Sequence, residues 1–217
     1  MPFTILFTDK GVAMFLEQNS TTSLFSQSLL HESPMGKNTT VVFIGNPLSS
    51  LCWAHRSIIQ EIQRYCSDRN INFSILMGYL KQETFKKNTF IASFVKNDTE
   101  PACRAIAAAR ILLLQEDHND TTLLQFFTSI QEKFFEQKED ATRTGFYKSI
   151  CKTHHLSYDE FADIFNIIST DVEFNTTKKL GISCYPNLIL DQLGTIHPLA
   201  SESISFENII TAIDSFL

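Results

Sequence analysis

The chain has 217 residues, of which 43% are apolar and 19% are charged, a composition typical of a globular protein with a sizeable core. Its net charge of −6 and its isoelectric point near 5.5 argue against nucleic acids and anionic membrane surfaces as partners. The nineteen phenylalanines indicate helices that pack through aromatic faces.

The first 38 residues show no clear hydrophobic period and are predicted to form an N-terminal extension. Asp9 and Lys10 interrupt the apolar residues near the start. The segment also lacks the basic start and the small-residue cleavage site of a secretory leader. No stretch of the sequence is long and apolar enough for a membrane span. We therefore expect a cytoplasmic protein without a membrane partner.

A strand–helix–strand unit follows the extension. The continuous apolar run Val41–Ile44 predicts a strand that is buried on both faces. After a loop at Gly45–Pro47, apolar residues at helical spacing predict a helix from Trp53 to Ser67. Alternation from Phe73 to Met77 predicts a second strand. We expect the two strands to be parallel and joined by a right-handed crossover.

The middle of the sequence is helical. Thr99 is placed to cap a helix whose first turn contains a proline. Two later helices begin at the spacing of a capping box, Ser157 with Glu160 and Thr170 with Glu173. Apolar residues at helical spacing mark a further helix between the helix capped by Thr99 and these two; these residues are Leu123, Phe127, Ile130 and Phe134.

The chain then returns to strands. Leu188–Leu190 and Thr195–Pro198 predict a short hairpin, and Phe206–Leu217 predict a final amphipathic helix. The order is thus βαβ, a helical block, then ββα. This order predicts an α/β fold of the thioredoxin-like type with an inserted helical domain. The predicted thioredoxin-like domain comprises residues 39–97 and 181–217, and the insertion comprises residues 98–180.

Three segments resemble the DsbA-like predicted disulfide isomerases of bacteria. Asn46–His55 is similar to that family's D-P-M-C-S-W-C-W-G-F, with matches at Pro47, Ser50, Cys52 and Trp53. Asp98–Ala105 matches the family's D-T-E-P-A-C-R-A. Leu180–Pro186 resembles its L-G-V-x-G-F-P. The three motifs occur in the family's order, and the resemblance covers roughly residues 39 to 217.

The resemblance implies a redox site that lacks one of its two cysteines. Disulfide exchange needs an attacking thiolate and a second thiol that resolves the mixed disulfide. By alignment, Ser49 occupies the attacking position and Cys52 the resolving one. A serine hydroxyl cannot form a disulfide, so the ordinary dithiol cycle is excluded at this motif. The chain is therefore predicted to be a relative of thiol-disulfide oxidoreductases with altered or lost activity.

Three interpretations of this motif stay open. In the first, Cys52 acts alone and His55, one helical turn later, favours its thiolate; the plainer alternative is a buried, inert Cys52. In the second, Ser49 activates the thiol of glutathione, because kappa-class glutathione transferases of the same fold carry a serine there. The plainer alternative is a Ser49 that only caps the helix.

In the third interpretation the site is inactive and binds a thiol-containing peptide or protein partner. Pro186 is the expected cis-proline, beside which a peptide adds as a strand. Trp53 and Tyr185 are predicted to help bind the substrate. Cys184 lies close enough in sequence to Pro186 to approach Cys52 and replace the lost pairing, although disulfide geometry is demanding.

Other kinds of site are not indicated. The five cysteines are scattered, form no C-x-x-C and show no zinc-knuckle spacing, so no metal is predicted. His154 and His155 are neighbours that face different sides of a helix, which also makes a metal site there unexpected. Glu100 and Arg104 form either a surface i,i+4 pair or part of a cleft between the two domains. No phosphate-binding loop, dinucleotide fingerprint or hydrolase triad is present.

Overall fold

A computed structural model describes residues 5–6, 13–14, 39–80, 98–115, 120–201 and 204–217. The chain divides into two compact units, residues 1–36 and residues 37–217. In the first unit, the two-residue strands Ile5–Leu6 (β1) and Ala13–Met14 (β2) pair in antiparallel fashion. None of the helices in the described ranges has the length and apolar character needed to traverse a lipid bilayer.

The second unit is built on a four-stranded mixed sheet with the order β4-β3-β5-β6. Its strands are Thr39–Gly45 (β3), Asn72–Met77 (β4), Asn187–Gln192 (β5) and Thr195–Ser201 (β6). Strand β3 is parallel to β4 and antiparallel to β5, and β5 is antiparallel to β6. The predicted parallel pair and C-terminal hairpin are therefore confirmed, and β3 lies at the centre of the core.

The helix predicted from Trp53 to Ser67 is two helices. Ser50–Ala54 (α1) and Arg56–Asp68 (α2) are separated at His55, which leaves the helical conformation. The first helix also begins earlier than expected, because the Ser49 hydroxyl accepts a hydrogen bond from the Cys52 backbone N–H and caps it. The break sets α1 apart as a short helix at the carboxyl end of β3.

The helical block contains five α-helices among the described residues, and a sixth ends the chain. They are Glu100–Gln115 (α3), Asp120–Phe135 (α4), Lys148–Thr153 (α5), Tyr158–Ile167 (α6), Asp171–Lys179 (α7) and Phe206–Asp214 (α8). A 3₁₀ turn at Thr144–Tyr147 precedes α5. The apolar face predicted within α4 is buried, as expected; its members are Leu123, Phe127, Ile130 and Phe134.

The two capping boxes predicted in this block have different outcomes. The Ser157 hydroxyl accepts from the Glu160 backbone N–H and caps α6, as predicted. Thr170 is the N-cap residue of α7, as predicted, but its side chain makes no capping hydrogen bond. There the Thr170 hydroxyl donates to the Glu100 carboxylate at 3.2 Å, and the Glu173 carboxylate accepts from the Met77 backbone N–H at 2.6 Å. Partners from other elements have replaced the local hydrogen bonds.

The hydrogen bond between the Glu173 carboxylate and the Met77 N–H attaches the helical block to the edge of the sheet. Arg110 of α3 lies 2.6 Å from the Glu173 carboxylate of α7. The same guanidinium donates to the Ile75 carbonyl of β4 at 2.8 Å. Because Glu173 holds the Met77 N–H, the ion pair occupies two backbone groups of the edge strand that would otherwise be open to another chain.

Candidate functional site

The site is built at the carboxyl end of β3, where Asn46 is fully buried. Its Nδ2 donates to the Gly78 carbonyl at 2.8 Å and lies 3.1 Å from the Thr99 hydroxyl oxygen and 3.2 Å from the Cys103 sulfur. Its Oδ1 accepts from the Leu48 N–H at 3.0 Å. One amide therefore joins the ends of two strands to the start of α3. The sequence marked Asn46 only as a loop residue.

Ser49 follows that loop and links α1 to the segment before β5. The side chain is 6% exposed. Its Oγ accepts from the Cys52 N–H at 3.3 Å and donates to the Tyr185 carbonyl at 3.4 Å. The hydroxyl thus caps the helix and also contacts Tyr185 of the third motif, Leu180–Pro186.

Cys52 is a buried, neutral thiol. It is 1% exposed, and burial raises its pKa to about 11, against smaller lowering effects of the Asn46 backbone and the Ser49 side chain. At pH 7 a thiol with such a pKa is ionised in on the order of one molecule in ten thousand. Cys52 therefore has neither the access nor the charge that an attacking nucleophile needs.

His55 is directed to its own helix. Its Nδ1 lies 2.9 Å from the Leu51 carbonyl oxygen. The groups that act on the Cys52 pKa, apart from burial, are Asn46 and Ser49 rather than His55. The arrangement does not favour the interpretation in which His55 promotes a Cys52 thiolate.

The indole of Trp53 packs between two side chains. The Phe135 ring of α4 is stacked on it, with 5.4 Å between ring centroids. The Arg56 guanidinium lies 3.7 Å from its ring centroid and donates to the Trp53 carbonyl. Trp53 thus joins α1 to the helical block.

The Tyr185–Pro186 peptide bond is cis. The Tyr185 side chain is 4% exposed and burial raises its pKa. A Cβ added at Gly78 would clash with this ring, so the glycine at the end of β4 makes room for it. Tyr185 therefore brings a backbone carbonyl to Ser49, while its ring belongs to the core.

Cys184 differs from the other four cysteines because its side chain is partly exposed. All five thiols are free in the structure, and the Cys184 sulfur lies 3.3 Å from the Ser201 hydroxyl oxygen of β6. It is thus not paired with Cys52. Its position next to Tyr185 places the accessible thiol of this region on the proline segment. Within the ranges that the structure describes, no three His, Cys, Asp or Glu side chains are grouped as a metal site.

Comparison with known proteins gives a fold assignment. No family model and no curated protein sequence matches the chain. Among solved structures, a candidate protein disulfide isomerase from Nitrosomonas europaea aligns with a TM-score of 0.66 and 19% identity, covering 83% of this chain and 98% of that one. The cytosolic disulfide reductase DsbM of Pseudomonas aeruginosa aligns with a TM-score of 0.60 and 14% identity, covering 82% and 98%.

The oxidoreductase NmDsbA1 of N. meningitidis also aligns, with a TM-score of 0.55 and 12% identity, covering 88% and 86% of the two chains. A second DsbM structure, with glutathione, has a TM-score of 0.59 and 13% identity, covering 82% and 98%. At these identities the likeness establishes the fold alone. The chain has the α/β thioredoxin fold with a helical insertion, as found in DsbA-like disulfide oxidoreductases.

Proposed function

We propose that this chain is a DsbA-type protein that does not perform dithiol–disulfide exchange and instead binds a thiol-containing peptide or protein beside Ser49 and Pro186. One observation carries the proposal. The position aligned with the attacking cysteine is Ser49, whose hydroxyl accepts a hydrogen bond from the Cys52 N–H and donates one to the Tyr185 carbonyl. Cys52 itself is buried and protonated.

Exchange chemistry at this site would need an accessible thiolate. Ser49 offers no thiol, and Cys52 offers one that is 1% exposed. A mixed disulfide at Cys52 would require that buried sulfur to become accessible. Binding without covalent chemistry requires no such change.

The proline segment supports a peptide partner. Residues 183–186 lie outside the sheet ladder, immediately before β5, and an extended peptide can add its backbone to such a segment. Leu51, which is 45% exposed, adds apolar surface on α1. Cys184 is the partly exposed thiol beside the proline segment.

Two measurements test the proposal. Reduction of insulin disulfides should proceed at the uncatalysed rate when the purified protein is added with dithiothreitol, and clear turnover would overturn it. Amide NMR titration with an extended cysteine-containing peptide should shift the signals of Ser49–Trp53 and of residues 183–187. No shift in either segment would refute binding at this site. Ser49→Ala is the matched variant, since it keeps the fold but removes the hydroxyl.

Glutathione is a second candidate ligand. A DsbM structure of the same fold contains it. In this chain the hydrogen bond from Ser49 to the Tyr185 carbonyl is long, at 3.4 Å, so the hydroxyl can turn to donate to a ligand sulfur. The same NMR titration with glutathione distinguishes glutathione from the peptide as the ligand. S-methylglutathione, which has no free thiol, is the control for a role of the sulfur. Shifts with glutathione but not with the peptide would favour glutathione, with its sulfur near Ser49.

We also propose that the protein works in the cytoplasm. The five free thiols fit a reducing compartment. The DsbM protein that shares its fold is named as cytosolic. Fractionation of the native host cell would test this location.

A further inference from the structure

An open groove on the helical block lies where α4, the 3₁₀ turn and α5 meet the start of α6. Its volume is about 460 Å³, which is within the range of about 300–1,000 Å³ that is usual for ligand sites. The polar side chains of its lining are Lys133, Lys148, Ser149, Lys152 and Tyr158, and no acidic side chain lines it within the described part of the chain. In a chain with a net charge of −6, this lysine groove is a local region of positive potential.

Lys133 forms one wall of the lysine groove and positions its neighbours. Its side chain is 12% exposed, and its ammonium lies 3.2 Å from the Glu139 carboxylate. The ammonium also donates to the Phe146 carbonyl at 2.6 Å and to the Ser149 hydroxyl oxygen at 2.8 Å. These partners engage its three N–H donors, and Glu139 offsets its charge. Because the Ser149 oxygen accepts from a charged donor, the Ser149 O–H is a polarised donor for a further acceptor.

The other two lysines of the groove carry uncompensated charge. Lys148 and Lys152 are exposed and lie four residues apart on α5, so they share a face with roughly 5–6 Å between their Cβ atoms. Among the residues that the structure describes, no carboxylate forms a salt bridge with either ammonium. The Lys148 ammonium lies 5.6 Å from the centroid of the Tyr158 ring, a contact that keeps it at the groove. Like charges at this spacing destabilise a helix, so folding stability does not explain the pair.

We propose that the lysine groove binds an acidic segment of a partner polypeptide, in which two carboxylates pair with Lys148 and Lys152. The Ser149 hydroxyl donates to one of these carboxylates. Acidic side chains on successive turns of a helix, or two residues apart in a strand, are roughly 5–7 Å apart, which matches the spacing of the two lysines. Leu156 and the ring of Tyr158 supply the apolar part of the surface.

The open form of the groove favours a polypeptide over other anions. A small-molecule site encloses most of its ligand, whereas Lys148, Ser149 and Lys152 are exposed to solvent. A polypeptide brings its own surface to exclude water from the ion pairs. The net charge of −6 disfavours a nucleic acid, because its phosphate backbone is repelled by the rest of the chain. The proposal does not depend on what binds beside Ser49.

The test is an amide NMR titration of the full-length protein with a cysteine-free synthetic peptide that carries glutamate at every fourth position. Signals of residues 145–152 and 156–158 should shift, and Kd should rise with salt concentration because exposed ion pairs are screened. The same peptide with glutamine at those positions should leave these signals in place. Absence of shifts at the groove, or equal binding of the two peptides, overturns the proposal. Tighter binding of inorganic phosphate or of a short single-stranded DNA also overturns it.

Two double variants separate the groove from the net charge of the protein. Lys148→Gln with Lys152→Gln removes two charges from the groove. Lys178→Gln with Lys179→Gln removes two charges from exposed side chains in the last turn of α7, which do not line it. The first variant should raise Kd for the glutamate peptide by roughly three- to thirtyfold, and the second by less than about twofold. Equal effects of the two variants would show that only the net charge matters and would overturn the proposal.

Discussion

If the proposed function is right, replacing Ser49 by cysteine should give this protein dithiol–disulfide exchange activity. The Ser49→Cys substitution adds a thiol three residues before Cys52, which restores the C-x-x-C spacing of a redox motif. Ser49 Oγ already lies within hydrogen-bond distance of the Tyr185 carbonyl. The new sulfur would therefore sit next to the cis-proline segment, with Cys52 one helical turn behind it.

The size of the effect follows from thiolate populations. At pH 7 a thiol with a pKa near 8.5 is about 3% ionised, whereas Cys52, with its pKa raised to about 11, is ionised in roughly one molecule in ten thousand. The ratio is roughly 300. We expect insulin reduction by the Ser49→Cys variant to exceed that of the wild type by up to about 300-fold, the ratio for a thiol with an unperturbed pKa. Loss of the helix cap should cost about 1 kcal/mol of folding stability.

Ser50→Cys is the control. It places a thiol on the exposed first residue of α1, where the i,i+2 spacing to Cys52 faces the two side chains in different directions. It should react with thiol reagents but should not reduce insulin. If Ser49→Cys folds and remains as inactive as the wild type, or if Ser50→Cys is equally active, the role assigned to the 49–52 pair is refuted.

Three further results are expected. Maleimide labelling of the native protein should modify Cys184 first, because the other cysteines are buried; mass spectrometry checks this, and Cys184→Ser should abolish the fast reaction. Burial lowers the pKa of His154, so the unfolded state binds more protons and stability should fall as the pH drops below about 6.5. His154→Gln should flatten that pH dependence in urea unfolding, and an unchanged slope would contradict the assignment. Glu173→Ala should cost about 2–3 kcal/mol in urea unfolding, because it leaves Arg110 uncompensated. Arg143→Ala, at an exposed ion pair, is the control and should cost less than about 0.5 kcal/mol. Equal losses in the two variants would argue against a stabilising role of the Glu173 contacts with Arg110 and β4.

Much of the fold could be predicted from the order of hydrophobic periods. The run at Val41–Ile44 marked a strand buried on both faces, and the spacing within Leu123–Phe134 marked a helix face. Both predictions are confirmed because the burial of apolar surface contributes more to the choice of structure than the intrinsic helix or strand propensities of single residues. The break at His55 could not be predicted, because the helical spacing of the apolar residues joined the two helices into one.

The sequence by itself determined that residue 49 has no thiol and cannot form a disulfide, because side-chain chemistry does not depend on folding; the resemblance predicts that this serine stands where a redox motif carries its first cysteine. The tertiary structure decided what the neighbouring residues do. It buried Cys52 and so raised its pKa, directed His55 to Leu51, and left Cys184 as the partly exposed thiol. It also gave Thr170 and Glu173 distant partners in place of a local cap. Burial and hydrogen bonding between elements depend on residues far apart in the chain. A local sequence pattern therefore does not predict these contacts.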